Sequence, residues 1–318
     1  MKHYLLPKDG QFYKANLHCH TTCSDGKLTP EEIKELYMAR GYSIVAYSDH
    51  SKLIPHPELK GADFLPITAI EVGVADPGIE GSARSCYHIN FYSKNETADF
   101  IPERTAIKEN YCIETVNEYI ATAHKMGFLA QYNHPRWSCQ DIREFGALKG
   151  LWGFEVYNTG AQETKRNGWG DEEFQQMCRA GIYLCPTASD DNHNRYPLDH
   201  FRNDCFGGWT MIKAPNLEYS TVLGAMERGD LYATTGPEIY ELYAEDGKIH
   251  IKTSPANLII LRTAYNHHIS LRAEGDSLTE AVFDPLATKT SPAFIRIEVW
   301  DKQGHALTRP YLPEDWSK

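Results

Sequence analysis

Hydrophobic runs of strand length alternate with amphipathic stretches of helix length over the first two thirds of the chain. After the first run, Thr29 and Glu32 form a capping box around Pro30, and apolar residues follow at helical spacing until Gly41. Residues 42–47 are then almost continuously hydrophobic, which is typical of a strand covered on both faces. Because this strand–helix order recurs, we predict a parallel sheet with crossover helices.

The same alternation predicts seven strands and a set of longer helices. The strands are expected at residues 16–20, 42–47, 64–70, 87–92, 128–132, 153–158 and 182–188, the longer helices at 103–126, 171–180 and 217–228, and a short helical stretch near 139–148. Seven strands with helices between most of them suit a (β/α) barrel better than an open sheet. In such barrels the active site lies at the carboxyl ends of the strands.

The hydrophobic pattern changes after the helix at 217–228. A turn at 232–237 is followed by short β-rich runs at residues 239–244, 248–253, 258–263, 269–273 and 295–300. Turn residues separate these runs, which is typical of a small all-β unit. We therefore predict two domains, a hydrolase barrel over residues 1–236 and a small C-terminal β-rich domain over residues 237–318.

Composition limits the classes of partner. The chain has 318 residues and a formal net charge of −11, which argues against general affinity for long nucleic acid or anionic membrane. Its eight cysteines include no C-x-x-C pair, and no apolar run has membrane-spanning length. We expect a cytoplasmic protein with reduced thiols, no membrane partner and a small substrate; one chain specifies no oligomeric state.

Side chains that bind metals gather where the predicted strands end. His18 and His20 are two residues apart on the first strand, so both side chains point to the same face. Asp25 follows on a loop that can fold back over them. Six of the seven predicted strands carry histidine, aspartate or glutamate at or near that end. The candidate ligands are His18, His20, Asp25, His50, Glu71, His88, His134, Asp191 and His193.

This set is larger than one ion can use. Mixed imidazole and carboxylate ligands suit Zn, Mn or Fe, and no cysteine cluster marks a structural zinc site. We therefore predict two or three divalent transition-metal ions, with one carboxylate as a bridge. Ions about 3.5–4 Å apart can share a water, lower its pKa and direct it at phosphorus. The expected nucleophile is thus a metal-bridging hydroxide, and no catalytic side chain is assigned.

Together the motifs resemble the PHP (polymerase and histidinol phosphatase) family. They are His18-x-His20 with Asp25-Gly26, Ser48-Asp49-His50, Glu71, His88, Asn133-His134-Pro135 and Asp191-x-His193. The resemblance extends over residues 14–200 and implies a distorted (β/α)7 barrel. It also implies one ion on His18, His20, Glu71 and Asp191, a second on Glu71, His88 and His134, and a third on Asp25, His50 and His193. Some members have histidine where this chain has Asp25, so the resemblance does not specify the occupancy or the identity of the third ion.

The resemblance and the metal chemistry predict a metal-dependent phosphoesterase. The substrate would be a small phosphomonoester such as a nucleotide, a sugar phosphate or a related metabolite. Two alternatives remain: an amidohydrolase-type hydrolase of a non-phosphate substrate, and an exonuclease acting on short nucleic acid. The acidic charge disfavours long nucleic acid as a partner.

Substrate contacts are predicted from arginines that flank the ligands. Arg84 precedes the His88 strand and Arg136 follows His134, so either can reach a phosphate as a bidentate donor. Either arginine could instead pair with a surface carboxylate. Arg195, just after the last ligand, is a third candidate. Two aspartates that precede ligands are expected to orient imidazoles, namely Asp49 and Asp190.

Overall fold

The fold is described from a computed structural model, which describes residues 2–76, 85–101, 111–266, 268–275, 277–287 and 291–317. The strands are β1 (His3–Tyr4), β2 (Gln11–Cys19), β3 (Ile44–Tyr47), β4 (Leu65–Ala75), β5 (Cys86–Ser93), β6 (Phe128–Tyr132), β7 (Gly153–Asn158), β8 (Cys185–Ser189), β9 (Trp209–Ala214), β10 (Leu231–Thr234), β11 (Ile239–Glu245), β12 (Lys248–Ala256), β13 (Leu258–Thr263), β14 (Ile269–Arg272), β15 (Leu278–Phe283), β16 (Ile295–Trp300) and β17 (His305–Thr308). The α-helices are α1 (Pro30–Met38), α2 (Ile113–Lys125), α3 (Ile142–Phe145), α4 (Thr159–Lys165), α5 (Asp171–Arg179), α6 (Tyr219–Arg228) and α7 (Pro313–Trp316). No described helix is long and apolar enough to cross a membrane.

Helices form where the sequence supplies caps and one apolar face. The predicted capping box at Thr29 is present, and α1 buries Ile33 and Tyr37. Of the predicted helix at 103–126, the described part contains α2, Ile113–Lys125, and residues 102–110 lie outside the described residues. The stretch at 139–148 holds only the short helix α3, whose N-cap is Asp141.

A thirteen-stranded sheet forms the centre of the molecule, in the order β14-β13-β16-β17-β10-β9-β2-β3-β4-β5-β6-β7-β8. Strands β2 to β4 are parallel, and so are β6 to β8, but β5 runs antiparallel to both of its neighbours. The prediction of a fully parallel sheet is therefore wrong at β5. Residues 76–85 alone join β4 to β5, which is fewer than the dozen or so residues that a parallel crossover requires.

The sheet curls, although a closed (β/α)7 barrel is not confirmed. No ladder joins β8 to β2 among the described strands, and one isolated parallel bridge links Cys19 of β2 to Asn192, which follows β8. Around this bridge the His20 amide donates to the Asn192 carbonyl at 3.1 Å, and the Asp191 amide donates to the His18 carbonyl at 2.9 Å. The curl thus brings the last ligand-bearing segment against the first.

The C-terminal strands are continuous with this sheet through the β10–β17 pair. A separate four-stranded sheet, in the order β1-β11-β12-β15, includes the N-terminal strand. Between the two sheets lies a core that takes in Leu5, Leu6 and Trp316 together with apolar residues of the C-terminal strands. The mixed α/β class and the β-rich C-terminal part agree with the sequence, whereas the domain boundary at residue 236 stays a prediction.

Candidate metal centre

Glu71 lies at the centre of the cluster of predicted ligands. The residue is fully buried on β4, and five imidazoles lie within 3.5 Å of its carboxylate oxygens. The distances are 3.3 Å from His18 Nε2, 3.5 Å from His20 Nε2, 2.8 Å from His50 Nδ1, 2.9 Å from His88 Nδ1 and 3.4 Å from His134 Nε2. A carboxylate in this position can serve as the bridge between ions that the donor set suggests.

Asp191 is a second carboxylate that contacts the same histidines, through the Nε2 atoms that also lie near Glu71. Its Oδ1 lies 2.9 Å from His20 Nε2 and 3.3 Å from His18 Nε2, and its Oδ2 lies 3.9 Å from His134 Nε2. Asp191 has φ 52° and His134 has φ 27°, so both backbones occupy the left-handed region that residues other than glycine rarely adopt. Uncommon backbone at two neighbouring candidate ligands is typical of functional sites.

A third group lies nearer the surface. His193 Nε2 is 3.3 Å from Asp25 Oδ1, and His50 Nε2 is 3.8 Å from the same oxygen. The His20 ring packs against both of these imidazoles, with ring centroids 4.1 Å from His50 and 4.4 Å from His193. One donor atom from each of the four residues fits within 4.8 Å of the others. The family resemblance assigns His20 to the first ion, and the geometry places the residue between both groups.

Glu155 orients two of the candidate ligands through hydrogen bonds. It was not predicted as a site residue. Its Oε1 accepts hydrogen bonds from His18 Nδ1 at 3.0 Å and from the Ser189 hydroxyl at 2.6 Å. Its Oε2 accepts from the His134 backbone amide at 2.9 Å and from Asn158 Nδ2 at 3.0 Å. With Nδ1 of His18 committed to Glu155, Nε2 is left to face Glu71 and the interior of the site.

Amide side chains complete this supporting layer. Asn133 donates through Nδ2 to Glu71 Oε1 at 3.0 Å, and Asn158 donates to Asp191 Oδ2 at 3.1 Å. His134 directs Nδ1 to the Ser138 hydroxyl at 3.2 Å, which leaves Nε2 on the side of Glu71. These contacts hold the candidate ligands in one orientation. Sequence patterns could have indicated Glu155 only by its charge, because it stands in an otherwise hydrophobic strand.

The buried charges interact strongly. Burial opposes ionisation of His88, but the neighbouring Glu71 carboxylate raises the pKa of this imidazole to about 10. Burial likewise opposes protonation of His18, and Asp191, Glu71 and Glu155 nevertheless raise its pKa well above the ordinary value. In the opposite sense, the imidazoles overcome burial and hold the pKa values of Glu71 and Asp191 well below their usual range. Without another cation, the site therefore retains protons on some of its histidines.

The donor set fits divalent transition metals. Buried Glu71 Oε2 and His20 Nδ1 have no hydrogen-bond partner, and His18 Nε2 and His20 Nε2 face each other at 3.2 Å. His50 Nδ1 is close to Glu71 Oε2, at 2.8 Å, but not in hydrogen-bond geometry. Buried polar atoms are ordinarily paired, so this convergence of nitrogen and oxygen atoms has the character of a coordination site.

A cavity of about 250 Å³ opens over these residues. Its floor is formed by candidate ligands, and its rim includes Trp137, Arg195, Tyr196 and Arg202. Arg195 Nη2 lies 2.6 Å from Asp25 Oδ2, so one arginine touches the third ligand group directly. Positive charge at the rim and carboxylates in the floor suit an anionic substrate bound across metal ions.

Two of the three arginines predicted to contact substrate lie within the described residues. Arg136 does not line the cavity and pairs instead with Glu173, Nε to Oε1 at 2.8 Å, which was the alternative open in the sequence. Arg84 lies outside the described residues. Arg195 reaches the cavity, and Arg202 joins it from a part of the chain where no pattern suggested a site.

The two aspartates expected to orient imidazoles accept hydrogen bonds from other groups instead. Asp49 accepts hydrogen bonds from Thr21 and Ser24 and so fixes the loop between His20 and Asp25. Asp190 accepts from the Tyr37 hydroxyl and from two backbone amides near residue 206, and burial raises its pKa to about 6. The hydrogen bonds of these two carboxylates within the described chain include no imidazole, so this prediction is wrong.

Comparison with known proteins gives partial similarities. No protein-family model matches the chain. A 5′-3′ exoribonuclease from Haemophilus influenzae is 39% identical over 61 residues, which span 19% of this chain and 20% of that protein. The chain therefore matches about a fifth of the length of this curated relative.

Solved structures are similar at lower sequence identity. A two-domain protein from Bacteroides vulgatus, described as containing a predicted PHP-like metal-dependent phosphoesterase, is 15% identical, with 97% of this chain and 98% of that chain covered and a TM-score of 0.46. A lesion-specific endonuclease from Pyrococcus furiosus is 14% identical, with 68% of this chain and 56% of that chain covered and a TM-score of 0.39. The family that the sequence motifs resemble is thus among those named for similar structures.

Proposed function

We propose that this protein is a PHP-family, metal-dependent phosphoesterase that hydrolyses a small phosphomonoester. The observation that carries the proposal is the convergence of five imidazoles on the buried Glu71 carboxylate, at the floor of a cavity with arginines on its rim. When bound, divalent ions supply Lewis acidity and activate water for attack on phosphorus. The nine candidate ligands form this floor or contact the residues that form it, and they belong to three adjoining groups.

Side chains of the protein would bind the phosphate and hold the candidate ligands in position. Arg195 and Arg202 can pair with phosphoryl oxygens that gain charge as the ester bond breaks. Glu155 holds the His18 tautomer, while Asn133 and Asn158 hold the two central carboxylates in place. Among the described residues that line the cavity there is no serine or cysteine, which favours direct attack by water.

A phosphate-release screen tests this proposal. Nucleotides and sugar phosphates are offered to protein treated with EDTA and to the same protein reloaded with Mn²⁺ or Zn²⁺. We expect release of inorganic phosphate only after reloading. Parallel arms with amide and lactone substrates test the amidohydrolase alternative. Full phosphatase activity in the metal-stripped protein, or hydrolysis confined to amides and lactones, would contradict the proposal.

Exonuclease action on short nucleic acid is a second candidate. The 61-residue similarity to an exoribonuclease favours it, because that enzyme also cleaves phosphate esters. The formal net charge of −11 disfavours a long polyanion, and a cavity of about 250 Å³ is small for a ligand pocket. Mononucleotide release from a short 5′-phosphorylated oligonucleotide, measured beside phosphate release, separates the two activities.

A further inference from the structure

An aromatic column leads from the cavity to the surface. The rings of Tyr196 and His200 stack at 4.6 Å with 7° between their planes, and His200 stacks on Phe201 at 4.5 Å and 29°. Tyr196, at one end of the column, lines the cavity, whereas Phe201 at the other end is 70% exposed. The three stacked rings therefore connect the lining of the cavity to the exposed surface.

The column has a fixed base. Asp204, which is buried, accepts the His193 amide at 2.8 Å and the Asn194 amide at 3.1 Å. Asn192 Nδ2 donates to Asn194 Oδ1 at 2.8 Å, so the chain is fixed where it leaves the last candidate ligand. The loop at residues 195–203, which carries the aromatic residues, is therefore anchored at both ends beside the candidate metal centre.

Positive charge lies along the same column. The Arg202 guanidinium carbon is 5.8 Å from the centroid of the Tyr196 ring and 5.5 Å from that of Phe201, and Nη1 donates to the Tyr196 hydroxyl at 3.2 Å. Arg195, one residue before Tyr196, lines the cavity as well. A flat apolar face next to two guanidinium groups matches a ligand with a planar aromatic part and a phosphate.

From this juxtaposition we infer that residues 195–202 form a stacking subsite for the nucleobase of a nucleoside monophosphate. This inference rests on the proposed phosphatase function and narrows its substrate class from phosphomonoesters in general to mononucleotides. A sugar phosphate offers no aromatic face and would leave the column unused. Stacking against the column would place the phosphate toward the arginines and the floor of the cavity.

Adenosine 5′-monophosphate and ribose 5-phosphate provide the test, because they differ only in the base. With the Mn²⁺-loaded protein, we expect kcat/KM to be about tenfold or more higher for the nucleotide, the scale of one base–aromatic contact. The substitution Tyr196→Leu should reduce this ratio severalfold. Tyr240→Leu is the control, because it removes an exposed tyrosine ring on β11 that does not line the cavity. This substitution should leave the ratio unchanged.

Adenosine, which carries no phosphate, provides a readout besides activity. Calorimetry should detect its binding to the protein and a severalfold weaker affinity after Tyr196→Leu. Equal kcat/KM values for the two phosphates, or a ratio and an adenosine affinity that Tyr196→Leu does not change, would overturn the inference and leave the phosphatase proposal intact. A clear preference for a short oligonucleotide over the mononucleotide would also overturn it. Absence of phosphate release from both compounds would instead contradict the proposed function, while adenosine binding still reports on the subsite.

Discussion

Replacement of Glu155 by glutamine tests how the supporting layer sets metal affinity. The carboxylate accepts four hydrogen bonds, two at each oxygen, from His18, Ser189, His134 and Asn158. A glutamine keeps one acceptor oxygen and turns an NH₂ group toward two donors. The negative charge beside His18 is lost in the same step, so its Nδ1 is less firmly held and Nε2 less well directed.

The size of the effect follows from these contacts. Each buried donor left without an acceptor costs about 1–3 kcal/mol, so two such donors predict a loss of about 2–6 kcal/mol in the free energy of unfolding. Loss of a carboxylate that orients a metal-binding histidine typically costs about 10–100-fold in metal affinity. We therefore expect Glu155→Gln to weaken Mn²⁺ or Zn²⁺ binding by that factor, measured by competition with a chromogenic chelator.

Glu298→Gln is the matched control. Glu298 is also a buried carboxylate with several donors, among them Arg262 at 2.7 Å, but it lies on β16 outside the cavity. Its replacement should lower the free energy of unfolding, followed by urea denaturation, and leave metal affinity within about twofold. Folded Glu155→Gln protein with wild-type metal affinity would refute the reasoning.

Three further predictions follow from the same geometry. Glu71→Gln removes the charge shared by five imidazoles, and we expect equilibrium dialysis to show loss of at least one bound ion per chain. Arg195→Met should raise KM for a phosphomonoester about tenfold, since it removes a charged hydrogen-bond donor at the rim, and an unchanged KM would contradict this role. Metal-free protein should lose stability as the pH rises, because raised imidazole pKa values, about 10 for His88, contribute stability that is complete below the ordinary value of 6.5 and is lost as the pH passes through the raised value. Urea denaturation at about pH 6 and pH 9 checks this; the Mn²⁺-loaded protein should show no such loss, because bound ions replace the protons.

The sequence predicted the candidate ligands well because their signal is local. Residue type, the two-residue spacing of His18 and His20, and positions at the ends of hydrophobic runs suffice to place them on one edge of a sheet. In the structure five of the predicted histidines lie within 3.5 Å of Glu71, Asp191 contacts His18 and His20, and Asp25 contacts His193. The seven predicted strands are present for the same reason, although their bounds shift by a few residues.

What the hydrophobic pattern did not predict depends on connections and on contacts between distant segments. A hydrophobic run is the same in either direction, and the antiparallel direction of β5 follows from the short connection to β4, residues 76–85. By residue type, Arg136 and Arg202 are equally plausible hydrogen-bond donors to a phosphate. Only the fold shows that Arg136 pairs with Glu173 and that Arg202 lines the cavity. Glu155 resembles any polar interruption of a strand until its four hydrogen-bond donors are seen.

Anomalous X-ray scattering from crystals grown with Mn²⁺ would locate bound ions in the candidate metal centre. We expect strong anomalous peaks within coordination distance of Glu71 and Asp191, with His18, His20 and His134 as further ligands, and an additional peak if Asp25, His50 and His193 bind their own ion. Crystals with no peak in this cavity, or with peaks only at other surface carboxylates, would contradict this expectation.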